Sequence, residues 1–173
     1  MNEEYIKEKY SLDDLMAVVH KLRQPDGCPW DNTQTYESMK KCVTDEAAEV
    51  VEAIDNKDFV NLKEELGDLL LQVIMYADMA AERGEFTLED VVDELAKKMI
   101  RRHPHVFGDE DLITKEYSEV MSRGVSLWNA IKLKEKQERL TEYESLYDEG
   151  KISLELLELQ RQKFAKFIEK INL

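Results

Sequence analysis

Residues 42–73, CVTDEAAEVVEAIDNKDFVNLKEELGDLLLQV, decide the fold because they combine a helical spacing of apolar residues with many acids. The spacing of close to 3.6 residues predicts two consecutive helices, 36–56 and 59–83. On a helical wheel, Glu46 falls within the apolar stripe of the first helix, and Glu49 lies at its edge. In the second helix Asp68 aligns with apolar residues, and Glu65 lies three positions before it. These four carboxylates are expected to point towards the interior of a helical bundle.

The composition favours helices and argues against several classes of partner. The chain has 173 residues, of which 38 are Asp or Glu and 24 are Lys or Arg, so its formal net charge is −14. That charge argues against binding a nucleic-acid polymer, which needs a broad basic surface. No apolar run approaches the ~18 residues of a membrane span, and the charged N-terminal stretch does not match a signal peptide. We expect a cytoplasmic protein with no membrane partner and with Cys28 and Cys42 reduced.

Apolar periodicity along the whole chain predicts an all-α fold, a helical bundle without strands. The predicted helices are 12–23, 36–56, 59–83, 88–102, 125–140 and 154–171. Gly84 and Pro104 are expected to end the third and fourth helices, and Thr87 with Asp90 resembles a capping box. Residues 109–124 are polar and predicted to be an irregular connection.

The inward acids predict a metal site. Glu46 and Glu49, and likewise Glu65 and Asp68, are three residues apart, so each pair shares one helix face. Clustered carboxylates repel one another unless a cation offsets their charge, and Mg²⁺ prefers oxygen ligands of this kind. The alternative is that these acids form ordinary solvated helix faces. Two such pairs on adjacent helices favour the metal.

The helix predicted at 59–83 is apolar on two sides, which suggests that it is buried on both. We expect the side carrying Asp68, Leu71, Met75 and Met79 to be left uncovered by the core. An exposed stripe of that kind predicts a homodimer, or a dimer of dimers, with Met75 and Met79 in its interface.

Four segments resemble the MazG-type nucleoside triphosphate pyrophosphohydrolases of the all-α NTP pyrophosphatase superfamily. They are GCPWDNTQT at 27–35, DEAAEVVEAI at 45–54, EELGDLLLQV at 64–73 and RRHPHVFG at 101–108. The resemblance implies a helical-bundle dimer that hydrolyses a nucleoside triphosphate to a nucleoside monophosphate and pyrophosphate, and a role in clearing non-standard or excess nucleotides. It implies Mg²⁺ as cofactor, with Mn²⁺ as a substitute. The metal ligands that it assigns are Glu46, Glu49, Glu65 and Asp68. Asp45 replaces the first Glu of the family signature, and the wheel places it outside the apolar stripe.

The resemblance also assigns catalytic and substrate-binding residues. Glu46, Glu49, Lys98 and Arg102 are expected to be catalytic, and Lys98 and Arg102 also bind phosphate. Substrate contacts are further expected from Trp30, Asp31, Gln34, Trp128 and Lys132. Two plainer interpretations stay open: Lys98 and Arg102 complement the negative end of their helix, and Trp128 is a core anchor.

We predict a catalytic helical domain at 1–132 and a C-terminal helical extension at 133–173, which carries no second acidic signature. Two other functions remain as alternatives. One is an enzyme similar to phosphoribosyl-ATP pyrophosphatase, which cleaves the same type of bond. The other is a metal-stabilised helical interaction protein without catalysis. The absence of a GxxxxGK[ST] motif argues against a P-loop enzyme.

Overall fold

The computed structural model describes residues 5–122 and 125–171, and within these ranges it contains helices and no strands, as an all-α fold requires. The described residues form ten helices in chain order: α1 (Leu12–Arg23), α2 (Pro29–Asn32), α3 (Lys40–Asp55), α4 (Phe59–Glu82), α5 (Leu88–Arg102), α6 (Pro104–Phe107), α7 (Glu110–Glu116), α8 (Ser118–Met121), α9 (Leu127–Asp148) and α10 (Leu154–Lys170). They form two compact units, Met1–Asp93 and Glu94–Leu173.

The core of the first unit lies where α1 and α3 pack on α4. Its buried residues include Val19 of α1, Met39 at the start of α3, and Ile74, Met75 and Met79 of α4. Helices α3 and α4 are joined by a short turn and pack side by side, and α1 packs on α4 as well. The side of α4 that α1 and α3 cover is therefore interior.

The buried face of α4 includes the side that was predicted to be uncovered. Met75 and Met79 are each 1% exposed, whereas Leu66, Leu70 and Val73 are 50%, 39% and 43% exposed. The placement of Met75 and Met79 in a subunit interface is therefore wrong, because both side chains fill the unit's own core. Apolar periodicity identified two apolar faces correctly, but it could not tell which of them α1 covers.

Short polar contacts set several helix ends. Thr87 and Asp90 form the predicted capping box, in which the Asp90 carboxylate accepts from the Thr87 N–H at 2.9 Å and the Thr87 hydroxyl accepts from the Asp90 N–H at 3.2 Å. Asp58 caps α4 in a similar way. Gly84 follows the end of α4 with a φ of 68°, a left-handed conformation that costs glycine little.

Two helix boundaries and one connecting segment differ by several residues from the prediction. The helix expected from residue 36 begins at Lys40, because residues 36–39 form a turn. The segment expected to be irregular, 109–124, contains the short helices α7 and α8. Helix α9 continues to Asp148, well past residue 140, although its polar sequence gives little apolar periodicity.

In the second unit, α10 packs along α9. Leu157 and Phe167 of α10 are buried, as are Ile131 and Leu133 of α9. The domain boundary predicted between residues 132 and 133 falls inside α9 and remains a prediction. Across the described residues, every helix is too short or too polar to cross a membrane.

Candidate functional site

Three of the predicted metal ligands meet between α3 and α4. Helix α3 contributes Glu46 and Glu49, which are one turn apart, and α4 contributes Glu65. One carboxylate oxygen from each of the three side chains lies within 4.8 Å of the other two. Glu65 is only 8% exposed, while Glu46 is half-buried and Glu49 is exposed. We call these three residues the acidic cluster.

The environment of the acidic cluster disfavours its negative charge. Burial raises the pKa of Glu46, and the charges of Asp68, Glu49 and Asp45 raise it further. Burial likewise raises the pKa of Glu65, with added contributions from the charge of Glu49, a hydrogen bond with Glu49 and the charge of Asp68. No Lys or Arg of the described residues forms an ion pair with the cluster. A divalent cation would supply the missing positive charge.

Asp68 and Asp45 occupy different positions around the cluster. Asp68 is half-buried on α4 and acts electrostatically on both Glu46 and Glu65, although it is not one of the three grouped carboxylates. Asp45 has a side chain that is 47% exposed and forms an ion pair with Lys41, one turn earlier on α3. The prediction that Asp45 lies outside the apolar stripe stays a prediction, since Asp45 and Glu46 are both half-buried.

The donor set of the cluster fits a hard divalent cation. Carboxylate oxygens from two neighbouring helices are the ligands that Mg²⁺ and Mn²⁺ prefer, and no soft sulfur or imidazole ligand joins them. Mg²⁺ usually keeps several waters and takes further oxygens from substrate phosphates. The exposed position of Glu49 leaves one side of the cluster open to such ligands.

A buried arginine that the sequence analysis missed fixes the segment containing Trp30 and Asp31. Arg23 is 5% exposed; its Nε donates to Asp78 Oδ2 at 2.9 Å and its Nη2 to Glu82 Oε2 at 2.7 Å. Its Nη1 donates to the backbone oxygen of Asp31 at 2.9 Å. These bonds tie α1 and α2 to α4. Nothing in local sequence spacing signals contacts between residues more than 50 positions apart.

The predicted base-binding residues of this segment have different accessibility. The Trp30 side chain is exposed, with 57% of its surface accessible. Gln34, in contrast, uses both ends of its carboxamide locally: its Nε2 donates to the Trp30 carbonyl at 2.8 Å, and its Oε1 accepts from the Ser38 hydroxyl at 2.7 Å. A base could stack on Trp30, but it would have to displace these bonds to pair with Gln34.

The second unit brings Arg102 and Trp128 together. The guanidinium of Arg102 lies 5.5 Å from the centre of the Trp128 ring. It also donates to Glu135 Oε2 through Nε at 3.0 Å and Nη2 at 2.6 Å, while Arg101 donates to Oε1 of the same carboxylate at 2.7 Å. Glu135 was not predicted. A usable signal was its position on α9, seven residues after Trp128 and hence on the same helix face.

Lys98 and Lys132, the other predicted phosphate ligands, are both half-buried in the second unit. The Lys132 ammonium lies 5.5 Å from the centre of the Phe167 ring. This cation–π contact holds the Lys132 ammonium over the ring without neutralising its positive charge.

The fold and the acidic cluster together define a class: all-helical domains in which two consecutive helices carry clustered carboxylates. Within that class, residues 34–107 match the family model described as the MazG nucleotide pyrophosphohydrolase domain. This segment of the chain is thus similar to the MazG domain, as the resemblance of its motifs indicated. The matched region includes α3, α4 and α5 and all three residues of the acidic cluster.

Curated relatives agree with this assignment. A Thermotoga maritima protein named nucleoside triphosphate pyrophosphohydrolase/pyrophosphatase MazG is 54% identical over 98 residues, which are 57% of this chain and 38% of the relative. The nucleoside triphosphate pyrophosphohydrolase of Escherichia coli K12 is 41% identical over 129 residues, or 74% of this chain and 47% of the relative. An uncharacterized Bacillus subtilis protein, YabN, is 41% identical over 139 residues, or 80% of this chain and 27% of the relative. The chain thus spans half or less of the length of these relatives.

Proposed function

We propose that this protein hydrolyses nucleoside triphosphates to nucleoside monophosphates and pyrophosphate, with Mg²⁺ as cofactor and Mn²⁺ as a substitute. The observation that carries the proposal is the acidic cluster, which lies inside the segment matching the MazG nucleotide pyrophosphohydrolase domain. A cytoplasmic location and a role in clearing non-standard or excess nucleotides belong to the same proposal.

In this mechanism Glu46, Glu49, Glu65 and Asp68 hold the metal. A bound Mg²⁺ supplies charge neutralisation for the triphosphate and lowers the pKa of a water molecule. One glutamate of the cluster accepts a proton from the attacking water, a role that a raised carboxyl pKa suits. Phosphoryl transfer otherwise requires mainly positioning and charge stabilisation.

The roles of the basic residues are proposed from the family resemblance. Lys98, Arg102 and Lys132 are proposed to offset charge on the transferred and leaving phosphates. Trp30 and Trp128 are proposed to stack on the substrate. The carboxylate of Glu135 accepts from Nε and Nη2 of Arg102 and fixes the direction of the guanidinium, whose Nη1 is proposed to reach a phosphate oxygen.

Assembly as a homodimer, or a dimer of dimers, is also part of the proposal. The exposed face of α4 that includes Leu66, Leu70 and Val73 is the apolar surface that supports it, in place of Met75 and Met79. Light scattering over a dilution series measures the mass directly. We expect wild type to be at least dimeric and Leu70→Asp to have a lower mass. A wild-type monomer at every concentration contradicts the assembly.

The activity is tested by measuring pyrophosphate release from a panel of NTPs, dNTPs and phosphoribosyl-ATP with Mg²⁺ and with a chelator. We expect Mg²⁺-dependent release from the nucleoside triphosphates, and loss of it in Glu65→Gln. Asp45→Asn is the matched control, because it removes a neighbouring acid outside the cluster and should be milder. Exclusive release from phosphoribosyl-ATP would favour the alternative enzyme, and no release from any substrate would favour a non-catalytic protein.

A further inference from the structure

A cavity between α9 and α10 in the second unit brings three cationic side chains together. Its volume is about 280 Å³, and its walls include Lys136 and Arg139 of α9 and Lys163 of α10. Lys136 and Arg139 are three residues apart and therefore share one face of α9, and Gln160 shares the face of Lys163 on α10 in the same way. The described residues that line the cavity include no Asp or Glu. Its walls therefore carry positive charge in a chain whose net charge is −14.

The three cations of this cavity have no acidic partner among the described residues, since none of them forms an ion pair there. Arg161, two residues before Lys163, is treated differently, because it pairs with both Glu144 and Glu158. Acids are thus available on the same two helices, and they neutralise Arg161 instead of the cavity. The positive charge of the cavity is left for a ligand.

Lys136 is held among like charges. It is half-buried, and its ammonium lies 5.2 Å from the centre of the Phe167 ring, while the Lys132 ammonium lies 5.5 Å from the same ring centre. The pKa of Lys136 is lowered first by burial and then by the charges of neighbouring cations, which are Lys132, Arg139 and Arg102. The charge of Glu135 acts in the opposite direction and does not offset them. An anion in the cavity would relieve this repulsion.

We propose that this cavity binds a short phosphate chain, whose oxygens accept from Arg139, Lys163 and Gln160. Ammonium and guanidinium groups form charge-assisted hydrogen bonds to phosphate, and a carboxamide N–H adds a neutral one. The cavity volume of about 280 Å³ lies just below the roughly 300 Å³ at which pockets for drug-sized ligands begin.

This size suits a pyrophosphate or triphosphate group, whereas the base of a nucleotide would remain outside. The ligand is therefore free pyrophosphate or the phosphate tail of a nucleotide. The inference goes beyond the proposed function and does not rest on it, because Arg139, Lys163 and Gln160 have no role in the proposed hydrolysis.

Isothermal titration calorimetry of the full chain with inorganic pyrophosphate, in the presence of a chelator, measures binding without turnover. The matched control for Lys163→Gln is Lys166→Gln, because Lys166 is an exposed lysine of the same helix that does not line the cavity. We expect Lys163→Gln and Arg139→Gln each to weaken binding about fivefold, equivalent to about 1 kcal/mol, and Lys166→Gln to match wild type. Both cavity residues are exposed, so circular dichroism should show an unchanged fold. An equal loss in Lys166→Gln overturns the proposal, since it would show non-specific attraction of anions to α10.

A second measurement locates the ligand and identifies the source of its phosphates. The side-chain amide resonance of Gln160, assigned by its absence in Gln160→Met, is followed while pyrophosphate or an α,β-methylene NTP is added. A shift with pyrophosphate supports binding of the free anion, and a shift with the nucleotide alone supports binding of a nucleotide tail. No shift with either ligand overturns the proposal. Pyrophosphate binding that is lost in Lys98→Gln and kept in Arg139→Gln also overturns it, because the anion would then occupy the proposed substrate residues instead of the cavity.

Discussion

Neutralising Glu46 should stabilise the metal-free protein and at the same time remove its response to Mg²⁺. Glu46 is half-buried beside two other carboxylates, and without a cation its charge opposes folding. Glu46→Gln keeps the shape of the side chain and removes that charge. If the cluster serves to bind a metal, its residues are selected for the loaded state at the expense of the empty one.

The size of the effect follows from the geometry of the acidic cluster. Two unit charges separated by the 4.8 Å that spans the cluster repel by about 3.5 kcal/mol at an effective dielectric of about 20. Solvent around a half-exposed group screens most of this, leaving about 1 kcal/mol. For a chain of this size, that is about 3 °C in Tm. At a Mg²⁺ concentration 100 times its Kd, the free energy of unfolding of the wild type should rise by about 2.7 kcal/mol, and that of Glu46→Gln by much less.

Calorimetric or circular-dichroism melting at pH 7, with chelator and with Mg²⁺, measures both effects. Asp45→Asn is the matched control on the adjacent residue. It removes the ion pair with Lys41, so it should leave the metal-free Tm unchanged or slightly lower and preserve most of the response to Mg²⁺. A metal-free Glu46→Gln that melts below wild type would refute the reasoning, because it would show that the Glu46 charge is already stabilised without a cation.

Three further outcomes are expected. The pKa values of Glu46 and Glu65 are raised in the folded state, so the stability of the metal-free protein should fall as pH rises through those values. A series of melting curves over pH measures this fall, and added Mg²⁺ should reduce it. Stability that rises over the same pH range would contradict the prediction. Met75→Ala should cost about 3 kcal/mol in urea unfolding and Leu70→Ala less than about 1.5 kcal/mol, because only Met75 is fully buried; the reverse order at high dilution would contradict the assigned core face. Arg23→Met should cost about 2 kcal/mol in the same assay, because it removes charged hydrogen bonds to Asp78 and Glu82, and it should alter tryptophan fluorescence; unchanged stability would show that the network is dispensable.

The sequence was most informative where local spacing determines the structure. The helical class, the ends of α1 and α5, the capping box at Thr87 and the convergence of α3 and α4 acids all follow from residues a few positions apart. Glu46, Glu49 and Glu65 could be grouped because two long helices joined by a short turn must pack side by side.

Long-range information was missing where the prediction failed. Both faces of α4 are apolar, and only the packing of α1 decides that Met75 is interior and Leu70 exposed. The Arg23 and Glu135 ion pairs join residues that are 33 to 59 positions apart, which no periodicity reveals.

Glu135 and the acidic cluster differ in whether they have a basic partner, and this difference bears on function. The Arg101 and Arg102 guanidiniums share the carboxylate of Glu135, and although burial of Glu135 opposes ionisation, these arginines hold its pKa below the ordinary value. The acidic cluster has no such partner among the described residues, and the pKa values of Glu46 and Glu65 are raised. A purely structural set of acids would be expected to have acquired a fixed basic neighbour, as Glu135 has. Carboxylates that are kept together and left unpaired are suited to a counter-charge that arrives and leaves with the substrate.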